Sequence, residues 1–206
     1  MAAGPGGWAV TSVLVALAAF TAMEPVTYAA HRWVMHGPGA RFHRSHHRRW
    51  PARREGDPWV EGNDVFPVLF AGITVCALAL GFHVGELSAL VPVSVGVTAY
   101  GAAYALVHDV YVHRRLAVRW SSRTLDRLAD AHELHHRFGG EPYGMLVPVV
   151  PHAVRRRAER AQVQRPSAST PRRQSTVASM VRSRNDSPPS SSANRWSRSP
   201  YTESSG

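Results

Sequence analysis

Residues 8–36 read WAVTSVLVALAAFTAMEPVTYAAHRWVMH. The run from Trp8 to Ala30 carries one charged residue, Glu24, and supplies about 23 residues before His31, enough to span the hydrocarbon core of a bilayer. It has no basic leading region and no clear cleavage site, so we interpret it as a retained transmembrane helix; the small pair Ala29-Ala30 leaves a cleaved signal peptide as the alternative. An acid inside a membrane span is a functional candidate, although Glu24 could also simply reach the interface.

Two further apolar runs follow along the chain. They extend from Phe66 to Phe82 and from Leu87 to Val107. Both are long enough to cross a membrane when tilt is allowed for, and membrane helices tolerate their Gly and Pro residues. The alternative, buried core helices of a soluble protein, would leave little amphipathic material to cover them. We therefore predict an all-α integral membrane protein with three to four transmembrane helices and a cytoplasmic histidine-rich helical cap.

The distribution of arginine predicts which side of the membrane each loop faces. All 24 basic residues are arginine; seven lie in residues 31–65 and six in residues 108–137, whereas the segments on the opposite side have none. Because arginine is enriched in cytoplasmic loops, we expect the N-terminus outside and the arginine-rich segments in the cytoplasm. The apolar stretch 143–150 is too short to span and is predicted to pack on the helices as an interfacial or re-entrant piece.

The end of the chain differs in composition from the rest. Residues 1–152 hold 13 Arg against 11 acidic residues, a net charge of +2, whereas residues 153–206 hold 11 Arg against 3, a net charge of +8. The second segment is rich in Arg, Ser and Pro, so we predict a membrane-embedded domain over 1–152 and a disordered tail over 153–206. The tail is either held near anionic lipid or a solvated segment without function. The single Cys76 excludes a disulfide scaffold and a cysteine-based metal site.

Ten of the twelve histidines form four clusters: HRWVMH (31–36), HRSHH (43–47), HDVYVH (108–113) and HELHH (132–136). In the two HxxHH clusters, positions i, i+3 and i+4 share a helix face, so their three rings can converge on one point. In the two HxxxxH clusters, a five-residue step leaves the rings about 140° apart on an ideal helix. Those pairs need a π-bulge, a helix end or two different metal ions, and Gly37 would suit a helix end.

The hydrophobic runs place all four clusters on the same, cytoplasmic side. Neutral imidazole suits Fe, Zn, Cu or Ni, and ten rings exceed what one ion can bind, so we predict two metal ions. The acids Asp109, Asp130 and Glu133 are candidates to orient imidazoles by accepting their second N–H. His83 and His152 lie outside the clusters and are predicted not to be ligands. The predicted ligands are His31, His36, His43, His46, His47, His108, His113, His132, His135 and His136.

The histidine pattern on short membrane spans resembles the fatty acid hydroxylase superfamily of membrane di-iron enzymes. Within it, the chain resembles the bacterial beta-carotene 3-hydroxylases. The resemblance covers about Thr21 to Val150 and rests on the stretches between the clusters as well: Met23-Glu24, the link Glu61-Gly62-Asn63-Asp64-Val65-Phe66, Tyr100-Gly101, and Asp126-Arg127-Leu128. Asn63 and Asp64 in that link are further candidates to orient imidazoles. The tail after Ala153 has no counterpart expected in the family, and Glu141-Pro142-Tyr143-Gly144 matches it only loosely.

The resemblance implies two non-haem iron ions held by the ten histidines in a bacterial inner-membrane protein. Such an enzyme would use O₂ and two electrons from reduced ferredoxin or a similar carrier to hydroxylate beta-carotene, through beta-cryptoxanthin, to zeaxanthin. Hydroxylation of an unactivated C–H bond excludes zinc, which is redox-inert. The implied partners are a carotenoid from the bilayer, ferredoxin with its reductase and membrane lipids. Trp33, Phe42 and Tyr111 are candidates to line a substrate entrance, or else interfacial anchors.

Two other functions compete with this interpretation. A fatty acid, sterol or sphingolipid hydroxylase or desaturase of the same superfamily would share the site and the chemistry but not the substrate. A membrane metal transporter or sensor would normally place its ligands near the middle of the membrane, whereas these histidines lie outside the apolar runs. Nucleic-acid binding is disfavoured because the excess positive charge is confined to the tail and to loops that flank the membrane.

Overall fold

The computed structural model describes residues 5–48, 58–116 and 120–163. Six α-helices occur there: α1 Pro5–Ala29, α2 Ala40–Arg48, α3 Val65–His83, α4 Leu90–Ala105, α5 Arg123–Phe138 and α6 His152–Val163. Two π-helical turns, Ala30–Met35 and Leu106–Val112, continue α1 and α4, and 3-10 turns at Gly62–Asp64 and Gly85–Leu87 flank α3. No strand is found in the described ranges, which confirms the all-α prediction.

Three helical segments are long and apolar enough to cross a membrane: Gly7–Met35, Gly62–His83 and Leu90–Val112. They coincide with the three predicted spans, and the first and third run on through the π-helical turns. Large apolar side chains such as Leu14, Val68 and Ile73 remain more than half exposed on these helices. A surface of this kind matches a lipid environment, since it would be unfavourable in water.

Helices α1 and α4 approach each other closely. A Cβ atom added to Gly96 would lie 2.1 Å from the carbonyl oxygen of Ala16 and 2.9 Å from the Cβ of Ala19. Small residues at a crossing allow two membrane helices to pack backbone against backbone. Closer to the histidines, the ring of Tyr100 on α4 packs edge-on against Phe20 on α1 and is almost completely buried.

The chain after α5 returns across α1 in an irregular segment, as predicted for residues 143–150. Gly139 ends α5 with a positive φ of 70°, a conformation that glycine adopts without strain. The Glu24 carboxylate then accepts hydrogen bonds from the backbone N–H groups of Met145, Leu146 and Val147 at 2.9–3.2 Å, and from the hydroxyl of Tyr100 at 2.6 Å. Glu24 therefore anchors this segment to the helices, which accounts for an acid in the first span.

Helix α6 extends the ordered part of the chain beyond the predicted boundary at His152. Residues 153–163, which we expected to be disordered, are helical in the structure. Arg and Ala favour helix, and Val154, Ala158 and Ala161 recur on one partly buried face. The guanidinium of Arg157 lies 4.7 Å from the ring centroid of Phe138 at the end of α5. Residues 164–206, the rest of the predicted tail, lie outside the described residues.

Candidate metal centre

The two HxxxxH pairs lie on the π-helical turns. The amide of His36 donates to the carbonyl oxygen of His31 at 3.1 Å, and the amide of His113 donates to that of His108 at 2.9 Å. A hydrogen bond between residues i and i+5 brings their side chains to the same side of the helix, which an ideal α-helix does not do. Of the three arrangements that the spacing left open, the structure uses the π-bulge for both pairs.

Gly37 follows the first π-helical turn and allows the chain to leave it. A Cβ atom on Gly37 would lie 2.2 Å from the carbonyl oxygen of Trp33, a backbone atom that cannot move aside. The chain then turns into α2, which carries the HRSHH cluster. The glycine that the sequence suggested as a helix stop therefore links the first two histidine clusters.

The described histidines include two groups that could each hold a metal ion. The first, here called the five-histidine group, consists of His31, His36, His43, His47 and His135. The second, the four-histidine group, consists of His46, His108, His113 and His132. Within each group the ligand atoms lie within 4.8 Å of one another. His136 lies against the second group, with its Nε2 2.9 Å from the Nε2 of His132. The structure thus brings all ten predicted ligands together.

Each HxxHH cluster is divided between the two groups. On α2, His43 and His47 belong to the five-histidine group and His46 to the four-histidine group; on α5, His135 belongs to the first and His132 to the second. The helical spacing allows the three rings of one cluster to converge on a single point, but in the structure they divide between two groups. The i, i+3 and i+4 positions share one helix face, but this face is wide enough for its rings to contribute to two adjacent sites. The packing of α2 and α5 against the π-helical turns decides which ring belongs to which group.

The rings of the five-histidine group face one another through their Nε2 atoms. His43 Nε2 lies 3.1 Å from the Nε2 of both His31 and His47, and His135 Nε2 lies 3.1–3.2 Å from the Nε2 of His36 and His47. In the second group, the Nε2 atoms of His108 and His46 are 3.1 Å apart and those of His113 and His132 are 3.2 Å apart. Two nitrogens bound to one ion at about 2.1 Å and at right angles would be about 3.0 Å apart, so this spacing suits adjacent ligands.

The tautomers explain why these contacts need a cation. Nδ1 of His31 donates to the carbonyl oxygen of Tyr143 at 3.0 Å, and Nδ1 of His135 donates to that of Gly140 at 2.6 Å. A carbonyl oxygen only accepts hydrogen bonds, so the proton of a neutral ring is on Nδ1 and the lone pair is on Nε2. His43, whose Nδ1 contacts the amide oxygen of Asn63, likewise directs its Nε2 lone pair at His31, and two lone pairs 3.1 Å apart repel unless a positive ion lies between them. The donor set therefore fits a bound metal ion.

Other oxygen atoms orient further rings. Asn63 Oδ1 accepts from Nδ1 of His43 at 2.7 Å, and Asp109 Oδ1 accepts from Nδ1 of His108 at 2.9 Å. Both residues were predicted to do this. Asp64 instead pairs with the guanidinium of Arg115 at 2.6 Å. Asp130 and Glu133 lie on the side of α5 that faces α6, and neither carboxylate accepts a hydrogen bond from a ring nitrogen of the described residues.

Two residues beside the four-histidine group, Glu61 and Arg115, were not among the predicted site residues. Glu61 Oε1 lies 3.5 Å from Nδ1 of His46 and accepts a hydrogen bond from Arg115 at 2.7 Å. Burial acts to raise the pKa of Glu61, but the hydrogen bonds from His46 and Arg115 outweigh it and hold the pKa at about 2. Glu61 is therefore ionised, and only the convergence of distant segments reveals its contact with His46.

Burial keeps His43, His47 and His135 in the neutral form that a metal ion requires. It is the main cause that lowers the pKa of His43 to about 3, of His47 to about 4 and of His135 to about 2; neighbouring rings lower these pKa values further. A charged imidazolium would lose its hydration here and meet other rings at close range. At neutral pH the lone pairs are thus available without the loss of a proton.

The remaining predicted residues lie at different depths. Trp33 is exposed beside the first histidine pair, and Phe42 is partly buried with its ring edge-on to Phe66. Tyr111 is buried and its hydroxyl donates to Asp126 at 2.5 Å, so it ties the second π-helical turn to α5 and does not line an open entrance. His83 and His152 are exposed and lie outside both groups, as expected.

The part of the chain that matches a known protein family contains the residues of the candidate metal centre. The fatty acid hydroxylase family model matches residues 16–153, more than half of the chain. The chain belongs to this family. The region that the fatty acid hydroxylase model matches contains all ten clustered histidines together with Glu24, Glu61 and Arg115. It ends at the start of α6.

Several similar proteins are named beta-carotene hydroxylases. One from Pseudescherichia vulneris is 40% identical over 129 residues, which cover 62% of this chain and 69% of the relative. One from Paracoccus sp. (strain PC1) is 35% identical over 136 residues, 65% of this chain and 79% of the relative. A chloroplastic beta-carotene 3-hydroxylase 1 from Arabidopsis thaliana is 38% identical over 57% of this chain and 38% of the relative. No solved structure matches the chain.

Proposed function

We propose that this protein is a beta-carotene hydroxylase with two histidine-bound iron ions. The observation that carries the proposal is the convergence of ten imidazoles, with Nε2 lone pairs aimed at one another, at one end of three helices apolar enough to cross a membrane. The names of the similar proteins support the substrate. The nitrogen ligands alone suit several metals. Hydroxylation of a C–H bond requires a redox-active metal, such as iron.

The reaction determines what the metal has to supply. Iron at this site would provide the redox chemistry that inserts one oxygen atom of O₂ into the C–H bond at C3 of the β-ring, while two electrons and two protons reduce the other atom to water. The same reaction on the second ring would convert beta-cryptoxanthin to zeaxanthin. The protein holds the ligand rings neutral and in one tautomer, and it buries them away from water. His135, for example, is completely buried with its Nδ1 proton held by the carbonyl oxygen of Gly140.

The position of the histidines suits a substrate that is dissolved in the bilayer. His31 and His108 follow directly on apolar helices, so a site at the membrane surface can be reached from lipid without passage through water. Exposed Trp33 lies at this level, where indole rings favour the interface. In our proposal it anchors the protein or borders the entrance for the β-ring.

We propose a location in a bacterial inner membrane, and the arginine distribution supports a metal centre on the cytoplasmic side. There the electrons would come from reduced ferredoxin, itself reduced by its reductase, or from a similar soluble carrier. Reporter domains fused at His83 and after Val163 test this orientation. We expect an external signal at His83 and a cytoplasmic one after Val163; a cytoplasmic signal at His83 would contradict the proposed side.

The substrate is tested by expressing the full chain in a bacterium that accumulates beta-carotene. We expect beta-cryptoxanthin and zeaxanthin to form, and chromatography separates them as more polar pigments. His135→Ala, which removes one ligand, should form neither product, whereas His83→Ala should match the unchanged protein. Unchanged beta-carotene in cells whose membranes contain the iron-loaded protein would overturn the substrate assignment. A lipid hydroxylase or desaturase of the same family would then be the better interpretation.

A further inference from the structure

The two groups of histidines differ in the charge of the oxygen atoms that hold their Nδ1 protons. In the five-histidine group, His31 and His135 donate to the main-chain carbonyls of Tyr143 and Gly140, and His43 donates to the amide oxygen of Asn63. These three acceptors are neutral. In the four-histidine group, Nδ1 of His108 donates to the carboxylate of Asp109, and Nδ1 of His46 faces the carboxylate of Glu61.

One arginine holds these carboxylates in place. Arg115 lies two residues after His113, directly beyond the second π-helical turn. Its Nη2 donates to Glu61 Oε1 at 2.7 Å and to Asp64 Oδ1 at 2.6 Å, and its Nε lies 3.9 Å from Asp109 Oδ1. Its backbone N–H also donates to the carbonyl oxygen of Asp109 at 2.9 Å. Arg115 thus joins the segment before α3 to the turn after α4 and keeps both carboxylates beside their histidines.

The charge of the acceptor changes the ligand. An imidazole whose N–H donates to a carboxylate is a more basic ligand than one whose N–H donates to a carbonyl oxygen, and hydrogen bonds to an ionised partner are roughly twice as strong. A more basic ring binds a divalent ion more tightly. It also stabilises the higher oxidation state of a redox-active ion over the lower one, because that state carries more positive charge.

We propose that Arg115, acting through Glu61 and Asp109, makes the two metal positions unequal, so that the four-histidine group holds the more tightly bound and more easily oxidised ion. This inference rests on the proposed two-metal centre but not on the identity of the substrate. Arg115, Glu61 and Asp109 are positioning residues here, since they contact ligand rings or one another and not the metal.

Metal titration of the full chain tests the inequality directly. Detergent-solubilised, metal-free protein is titrated with Co²⁺ alone, and binding is followed by the absorption of the bound ion and by calorimetry. We expect a tight and a weaker class of site in the unchanged protein. Asp109→Asn and Glu61→Gln should weaken the tight class by about 10- to 100-fold and leave the weaker class unchanged.

Asn63→Asp provides the matched opposite change. It replaces a neutral acceptor by a carboxylate of the same shape in the five-histidine group, and we expect it to tighten the weaker class while the tight class stays the same. Arg115→Lys, which retains a positive charge, should weaken the tight class less than Arg115→Gln. A variant that is merely destabilised would weaken both classes together, so gain of affinity in Asn63→Asp cannot come from a structural defect.

The redox part of the inference is tested on iron-loaded protein. In a reductive titration followed by Mössbauer spectroscopy with ⁵⁷Fe, we expect one iron population to be reduced before the other. Asp109→Asn should raise the midpoint potential of the population that is harder to reduce and leave the other unchanged. A single class of Co²⁺ site in the unchanged protein, equal weakening of both classes, or weaker binding in Asn63→Asp would overturn the inference. Two unequal sites in a protein that leaves beta-carotene unchanged would overturn the proposed substrate alone.

Discussion

In four of the clustered histidines, the two ring nitrogens make different contacts. In His31, His43, His108 and His135, Nδ1 donates to a protein oxygen and Nε2 points at other rings. The sequence could predict which histidines cluster, because clustering is visible in the spacing. It could not predict most of the oxygen atoms, since Tyr143 and Gly140 contribute main-chain carbonyls, which every residue possesses.

At this scale we expect each of the ten clustered histidines to be required. Replacement of any one by Ala leaves an ion with an incomplete ligand set, so iron content should fall below two per chain and hydroxylation should be lost. Iron analysis and product formation on solubilised protein measure both. His83→Ala and His152→Ala are the controls and should retain both properties. Full activity in several single variants of one cluster would show that this cluster is structural.

Glu24 is expected to stabilise the fold through the segment after α5. Glu24→Gln removes the charge that four donors share, and hydrogen bonds to charged groups contribute about 1.5–3 kcal/mol each. We expect a loss of on the order of 2 kcal/mol in unfolding free energy, measured by denaturation in mixed detergent. Tyr100→Phe removes one of the four donors to this charge and should cost about 1.5–3 kcal/mol. If both variants are as stable as the unchanged protein, Glu24 does not anchor this segment.

At the scale of helices, the π-helical turns are the decisive elements. Each turn adds one residue to a helical repeat, which aligns the two histidines of an HxxxxH pair. The sequence predicted that something must compensate for the five-residue spacing and left three solutions open. The choice among them depends on the helices that pack around each turn, so it could not be made from the spacing.

The contact between α1 and α4 also decides where the histidines lie, because the first and second π-helical turns continue these two helices. Gly96→Ala would place a methyl group 2.1 Å from the carbonyl oxygen of Ala16, so the helices must separate. We expect lower thermal stability and lower iron content. Gly101→Ala on the same helix meets nothing within 4 Å and should retain both. If the two variants behave alike, the close helix crossing does not position the metal centre.

At the scale of the whole molecule, the buried histidines make stability depend on pH. With burial as the main cause, the pKa of His43 is about 3 and that of His47 about 4 in the folded protein, against 6.5 for an unperturbed histidine. Below pH 6.5 the unfolded chain binds protons that the folded chain does not, so stability should fall as the pH falls towards 4, by about 1.4 kcal/mol per pH unit for each such histidine. Above about pH 7 these groups are neutral in both states and contribute no slope.

Thermal unfolding of the metal-free protein at about pH 7.5 and about pH 5 measures this effect. We expect a lower unfolding temperature at the lower pH. His83→Ala serves as the control, because His83 is exposed and lies outside both groups. A metal-free protein whose stability is constant or rises as the pH falls from 7 to 5 would contradict the burial of neutral rings.

The sequence by itself determined the three apolar helices and the four histidine clusters, and the number of clustered rings led to the prediction of two metal ions. These properties are local: a hydrophobic run long enough to span a bilayer forms a helix there, and the spacing of histidines on a helix is set by its repeat. Membership of the clusters needed no knowledge of packing. Composition alone did not predict α6. The average over the arginine-rich segment hides the apolar face of this twelve-residue helix.

Only the tertiary structure decided how the ten rings divide between the two groups and which oxygen atoms hold them. His46 and His47 are adjacent in the chain yet belong to different groups, and Glu61 meets Arg115 across 54 positions. The rotation of each helix about its axis and the way it packs on its neighbours set these contacts. Neither quantity is encoded in the spacing of residues along one segment, because both depend on surfaces that distant segments provide.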